Sequence, residues 1–198
     1  MPKPKTDSRD RLIETAARLF QRQGYQGTGL SQIVEESGAP RGSVYFLFPG
    51  GKEELAIEAI EQSTLMVRKQ IELAAGNSHS VEEWIRSLAA HFIEDLESSN
   101  YLQGCPISTV TLESVPDSPA LQKACRLAYD LWIEDITIVL IRFGIHKEDA
   151  GELAVFLLSA VEGALILCRA QGSAKPLEIG TKLSIELVKA KQHGIMEP

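Results

Sequence analysis

The sequence predicts an all-α protein of about nine helices in two domains. Three observations lead there. Apolar residues recur at helical spacing in nearly every segment, and no stretch sustains the two-residue alternation of a half-buried strand. Clusters of Gly, Pro, Asn and Ser separate the periodic segments where helices stop and start. The chain has 198 residues, 44% of them hydrophobic and 24% charged, enough for one large or two small domains with a sizeable core.

The first helix is expected over 8–23. Leu12, Ile13, Ala16, Ala17, Leu19 and Phe20 form its apolar stripe, Asp7 or Ser8 can cap it, and Gly24 ends it. A second helix begins at Thr28 or Ser31, buries Leu30, Ile33 and Val34, and stops at Gly38. A third, short helix runs from Pro40 to Phe48, where Pro49-Gly50-Gly51 breaks the chain. The fourth extends from Lys52 to about Ala75. After the loop "AGNSHS", a fifth spans 81–98 with Trp84, Ile85, Leu88, Phe92 and Leu96 in register. "NYLQGCP" interrupts the pattern before a short helix at 106–113. "SVPDSP" forms the next loop, and a seventh helix follows over 119–143, ended by Gly144. Helices at 147–171 and 175–192, separated by "QGSAKP", complete the chain. The division is a three-helix head, 1–52, and a helical bundle, 53–198.

Net charge is −7, with 20 Lys/Arg and 27 Asp/Glu. Residues 1–52 hold eight basic and five acidic side chains, a balance of +3, which leaves −10 for the remainder. Charges farther apart than about 8 Å are largely screened at physiological salt. A basic head can therefore meet phosphates while an acidic body stays distant. The three cysteines, Cys105, Cys125 and Cys168, are widely spaced, which argues against a disulfide framework or a zinc site. No apolar run reaches the ~18–20 residues of a membrane span, and the N-terminus has no apolar signal region. The expectation is a cytoplasmic protein with no membrane partner.

"SQIVEESGAPRGSVYFLFPGGKEEL" is the informative stretch. Two short helices joined by a tight turn are a helix-turn-helix pattern. Gly38 supplies a left-handed residue, Pro40 is pre-set for a first helical turn, and Ala39 lets the helices cross closely. Val44 points inward with Ile33 and Val34, which leaves Arg41, Gly42, Ser43, Tyr45 and Phe46 on the outer surface. Such a helix fits the DNA major groove. Arg41 can pair with guanine or phosphate, Gly42 admits close backbone approach, Ser43 and Tyr45 can donate to phosphate, and Phe46 can meet a thymine methyl. Lys52 adds a cation at a helix N-terminus. The competing reading, aromatics that are simply core, suits Phe48 and Leu47.

Residues 9–55 resemble the DNA-binding domain of TetR/AcrR-family transcriptional repressors. The matching positions are Phe20, Gly24, Tyr25, Thr28, Ile33, Gly38, Gly42, Tyr45, Phe48, Lys52, Glu53 and Leu55. "FPGGKEEL", "GCP" at 104–106 and "EGALILCRAQ" at 162–171 resemble the LmrA/YxaF-like subgroup. Two departures stand out. Pro40 replaces the Ser or Thr of many members, and Pro49-Gly50-Gly51 is one residue longer than the usual link. The resemblance implies a two-domain homodimer that binds double-stranded operator DNA and is released by a small effector. The DNA-facing candidates are then Thr28, Ser31, Arg41, Gly42, Ser43, Tyr45, Phe46 and Lys52.

The eighth helix, "AGELAVFLLSAVEGALILCRAQ", is apolar on nearly all sides and must be covered on all of them. Its own bundle covers one side. A second subunit against the last two helices would cover the other. Trp84, Phe92, Cys105, Trp132, Phe156 and Ser159 are the candidates for lining an effector cavity. His91 and Asp95, at i and i+4, show only two ligands, so no metal or other cofactor is expected. A redox role for Cys105 has only its place before Pro106 to support it. No G-x-S-x-G, Walker loop, dinucleotide fingerprint or H-E-x-x-H is present, which speaks against an enzyme. The function expected is a ligand-responsive repressor with helix four as lever. The alternative is a small-molecule-binding or protein-interaction helical module without DNA binding.

Overall fold

A computed structural model describes residues 5–114 and 117–192. Among the described residues every regular element is helical. They are α1 Lys5–Gln23, α2 Leu30–Ser37, α3 Ser43–Leu47, α4 Gly51–Gly76, α5 Val81–Ser98, α6 Pro106–Ser114, α7 Pro119–Arg142, α8 Lys147–Gln171 and α9 Lys175–Gln192. Two helix starts differ from expectation by three residues. α1 begins at Lys5, so the expected cap positions Asp7 and Ser8 lie inside it. α3 begins at Ser43, because Pro40, Arg41 and Gly42 form a turn whose Pro40 carbonyl accepts the Ser43 N–H at 2.8 Å. Within the "SVPDSP" loop, residues 115 and 116 lie outside the described residues.

The chain packs as two compact units, Met1–Leu65 with Cys105–Ala128, and Met66–Gly104 with Tyr129–Pro198. The functional boundary expected at 52/53 therefore differs from the packing boundary, which adds α4 as far as Leu65, α6 and the first turns of α7 to the head. In the first unit α1 packs on α2, α3 and α6. Leu12, Leu19 and Phe20 of α1, Ile33 of α2, Val44 of α3, Phe48, Leu55 of α4, and Ile107 of α6 are all fully buried. Burial of side chains this large stabilises by about 1.5–3 kcal/mol each.

In the second unit α9 packs on α8 and α5. Trp84, Ile71, Ile136, Leu140, Leu153, Leu157 and Val188 belong to its core. The Trp84 indole N–H donates to the Ile71 carbonyl at 3.3 Å, so its polar atom is satisfied inside apolar surroundings. Ser80 caps α5 by accepting the Glu83 N–H, and Glu83 reaches back to the His79 N–H. Gly172, with φ +58, closes α8 in the left-handed conformation.

α8 corrects one expectation. It is long and apolar enough to cross a membrane, although about a third of its apolar window is buried in the chain. Ser159, Glu162 and Gly163 interrupt the run of large apolar side chains without making the helix polar. Its buried face carries Leu153, Leu157, Ala164, Leu165 and Cys168. Its other face leaves Val155, Phe156, Ile166 and Leu167 open to solvent, as α9 leaves Ile179 and Leu183. The helix is therefore two-faced within the chain, with both faces apolar.

Candidate nucleic-acid interface

The turn between α2 and α3 is held from several directions. Gly38 has φ +61, and its N–H donates to the Glu35 carbonyl. Arg11 of α1 donates from Nη1 to the Ser37 and Gly38 carbonyls at 2.8 and 3.2 Å, which satisfies acceptors that the end of α2 leaves over. The Ser37 hydroxyl donates to the Val34 carbonyl and accepts the Ala39 N–H. Ala39 is buried, which admits the close crossing of the two helices.

This scaffold presents one side of α3. Val44 is buried beneath it, while Tyr45 and Phe46 are 67% and 71% exposed. Arg41, Gly42 and Ser31 are exposed beside them, and a Cβ at Gly42 would meet nothing within 4 Å. Two large aromatics this exposed on a helix of five residues form an apolar patch on the surface of the unit. Arg41 forms no ion pair among the described residues. The Ser43 hydroxyl donates to the Pro40 carbonyl at 2.7 Å, so its first task is to fix the turn.

Two of the expected DNA contacts have partners within the unit. Thr28 is 1% exposed, and its hydroxyl donates to the Gly24 carbonyl at 2.6 Å, locking the α1–α2 loop. The Lys52 ammonium is half-buried and lies 4.2 Å from the centroid of the Tyr25 ring. Burial pushes its pKa down, while the Glu113 carboxylate pulls it up. The Tyr25 hydroxyl is pushed up by burial and by the Glu53 charge. Three further basic residues of the head are engaged in packing. Arg9 pairs with Glu58 and lies over the Phe48 ring, Arg18 pairs with Glu36 at 2.8 Å, and Arg11 serves the α2 carbonyls. Hydrogen bonds from Arg18 and Gln32 hold the Glu36 carboxyl below its usual range. Of these partners only Glu58 lies outside residues 1–52, so the Arg9 pair alone subtracts from the sum of +3.

Sequence reasoning missed Glu113 and Ser118. Glu113 of α6 accepts the Gln26 N–H at 2.7 Å, and Ser118 donates to Glu53 at the start of α4. No local pattern marks either, since both partners are remote in the chain.

The residues expected to line an effector cavity fall in both units. Trp84 is a core residue at 1% exposure. Phe156 and Ser159 lie on the open side of α8 and are exposed. Cys105 belongs to the first unit, where its carbonyl accepts the Ser108 and Thr109 hydroxyls. Trp132 is buried edge-on to Tyr129 at 5.7 Å, and Phe92 is half-buried. His91 lies 3.9 Å from Asp95 and contacts Gln70. Among the described residues no group of three or more His, Cys, Asp or Glu could hold a metal.

Comparison with known proteins gives consistent results. Residues 12–59 match the family described as bacterial regulatory proteins, tetR family. Residues 81–182 match the C-terminal domain of LmrA/YxaF-like transcriptional regulators. The chain is 36% identical to the HTH-type transcriptional regulator LmrA of Bacillus subtilis, over 86% of this chain and 91% of that one. It is 34% identical to the regulator YxaF of the same organism, over 93% and 97% of the two chains. A crystal structure of a TetR transcriptional regulator from Chloroflexus aurantiacus is 28% identical and superposes with a TM-score of 0.77, covering 94% of this chain and 96% of that one.

Proposed function

This chain belongs to the tetR family of bacterial transcription regulators, in its LmrA/YxaF-like group, and we propose that it is a homodimeric repressor that reads a two-half-site operator and is released by a small effector. The family is one of DNA-binding helix-turn-helix regulators and not of enzymes. The observation that carries the finer reading is the exposed Arg41–Gly42–Tyr45–Phe46 surface of α3 and the turn before it, set over a buried Val44. Arg41 suits guanine or phosphate, Tyr45 suits phosphate, Phe46 suits a thymine methyl, and Ser31 flanks them.

Pairing two such heads needs a symmetric body. The open apolar face of α8, with Ile179 and Leu183 of α9, supplies the self-complementary surface of a two-fold interface. Two heads then address half-sites about 34–36 Å apart, or multiples of that. For the effector site we favour Trp132 and Phe92, which belong to the same unit, with an apolar or aromatic ligand. An effector acts here by preferring one of two head spacings. Swinging that population from 1:99 to 99:1 takes roughly 5.5 kcal/mol of differential affinity. Such a protein works in the cytoplasm, where the chromosome is.

The test is a titration of duplex DNA selected by the parent chain from a random pool. Arg41→Ala and Tyr45→Ala are each expected to weaken binding about tenfold or more. The parent's own affinity should fall by on the order of 10³ between 50 and 200 mM salt. If both variants bind like the parent, α3 is not the reading helix.

A further inference from the structure

Glu113 holds a loop that lies 87 residues away in the chain. α1 ends at Gln23 and α2 begins at Leu30, so residues 24–29 form the loop between them. Most of what fixes this loop is local. The Gly24 N–H donates to Phe20, the Thr28 N–H to Tyr25, and the Thr28 hydroxyl to Gly24. The Gln26 N–H instead donates to Oε2 of Glu113 at 2.7 Å. The other carboxylate oxygen occupies space beside Gly24 that any Cβ there would overlap. Gly24 also has φ +84, so glycine serves the turn and the docking together.

A second fastening lies at the other end of the head. Ser118, at the start of α7, donates to Glu53 in the first turn of α4. Lys52 beside it stacks on Tyr25, within the electrostatic reach of Glu113. The two fastenings therefore grip the segments just before α2 and just after α3, inside one compact unit. A carboxylate is repelled by phosphate, so Glu113 is ill suited to touch DNA itself.

We propose that Glu113 is a positioning residue for DNA reading: its carboxylate fixes the Gly24–Gly29 loop and, through it, the placement of α2 and α3. The proposal rests on the DNA-reading function above.

The experiment compares Glu113→Ala, Glu113→Asp and Glu113→Gln with the parent, using the selected duplex and amide hydrogen exchange at Gln26. Alanine removes the acceptor, aspartate withdraws it while keeping the charge, and glutamine keeps an acceptor oxygen without the charge. Alanine and aspartate variants should bind about tenfold more weakly and exchange the Gln26 amide faster, whereas glutamine should restore both. Should the alanine variant not fold, the aspartate–glutamine pair decides. Parent-like affinity in the aspartate variant despite faster exchange overturns the proposal, because the bond would then serve stability only. A glutamine variant as weak as aspartate also overturns it, since charge and not the acceptor would matter. If the parent selects no duplex, the DNA-reading function itself has failed, while Gln26 exchange still reports the docking.

Discussion

Thr28 illustrates how a residue's surroundings settle its role. Its hydroxyl is a plausible phosphate donor by type, yet burial and the 2.6 Å bond to Gly24 assign it to the loop. Thr28→Val keeps the volume and removes the donor. It should cost about 1–3 kcal/mol in urea unfolding, because the buried Gly24 carbonyl loses its partner. A phosphate-contact role would instead leave stability unchanged and weaken DNA binding. The same logic separates the cations. Arg9, Arg11, Arg18 and Lys52 are held by Glu58, the α2 carbonyls, Glu36 and the Tyr25 ring. Arg41 is exposed beside Tyr45 and Phe46.

Helix boundaries follow from local chemistry and were mostly legible. Gly24, Gly38, Gly144 and Gly172 all have positive φ, each beside a helix end that the sequence marks. The capped start of α5 offers a direct test at this scale. Ser80→Ala should lower stability by about 1 kcal/mol, read as a drop in thermal midpoint, because the Glu83 N–H loses its acceptor. α3 was less legible. Pro40 and Gly42 favour a turn before the helix, and the bond from Ser43 to Pro40 completes it, so the helix starts three residues later than its apolar pattern suggests. α8 shows a different limit. A run apolar on every side says that both faces need cover, but not which face the chain itself covers.

For the whole molecule, the open face of α8 makes the decisive prediction. Ile166→Asp places a charge on that face without disturbing the core side of the helix. Sedimentation should show the variant as monomer at concentrations where the parent is dimer, with its melting cooperativity kept. A parent that sediments as monomer at every concentration would remove the basis for paired heads.

The sequence by itself determined the helices, the helix-turn-helix and the aromatic-basic surface of α3. Each depends on spacing within a few residues, where helical period and turn chemistry act directly. Tertiary structure alone decided which cations remain on the surface, that Trp84 is core, which side of α8 stays open, and that Glu113 docks beside Gly24. Those outcomes depend on side chains far apart in the chain, brought together by burial of a shared core, and no local pattern encodes such a meeting.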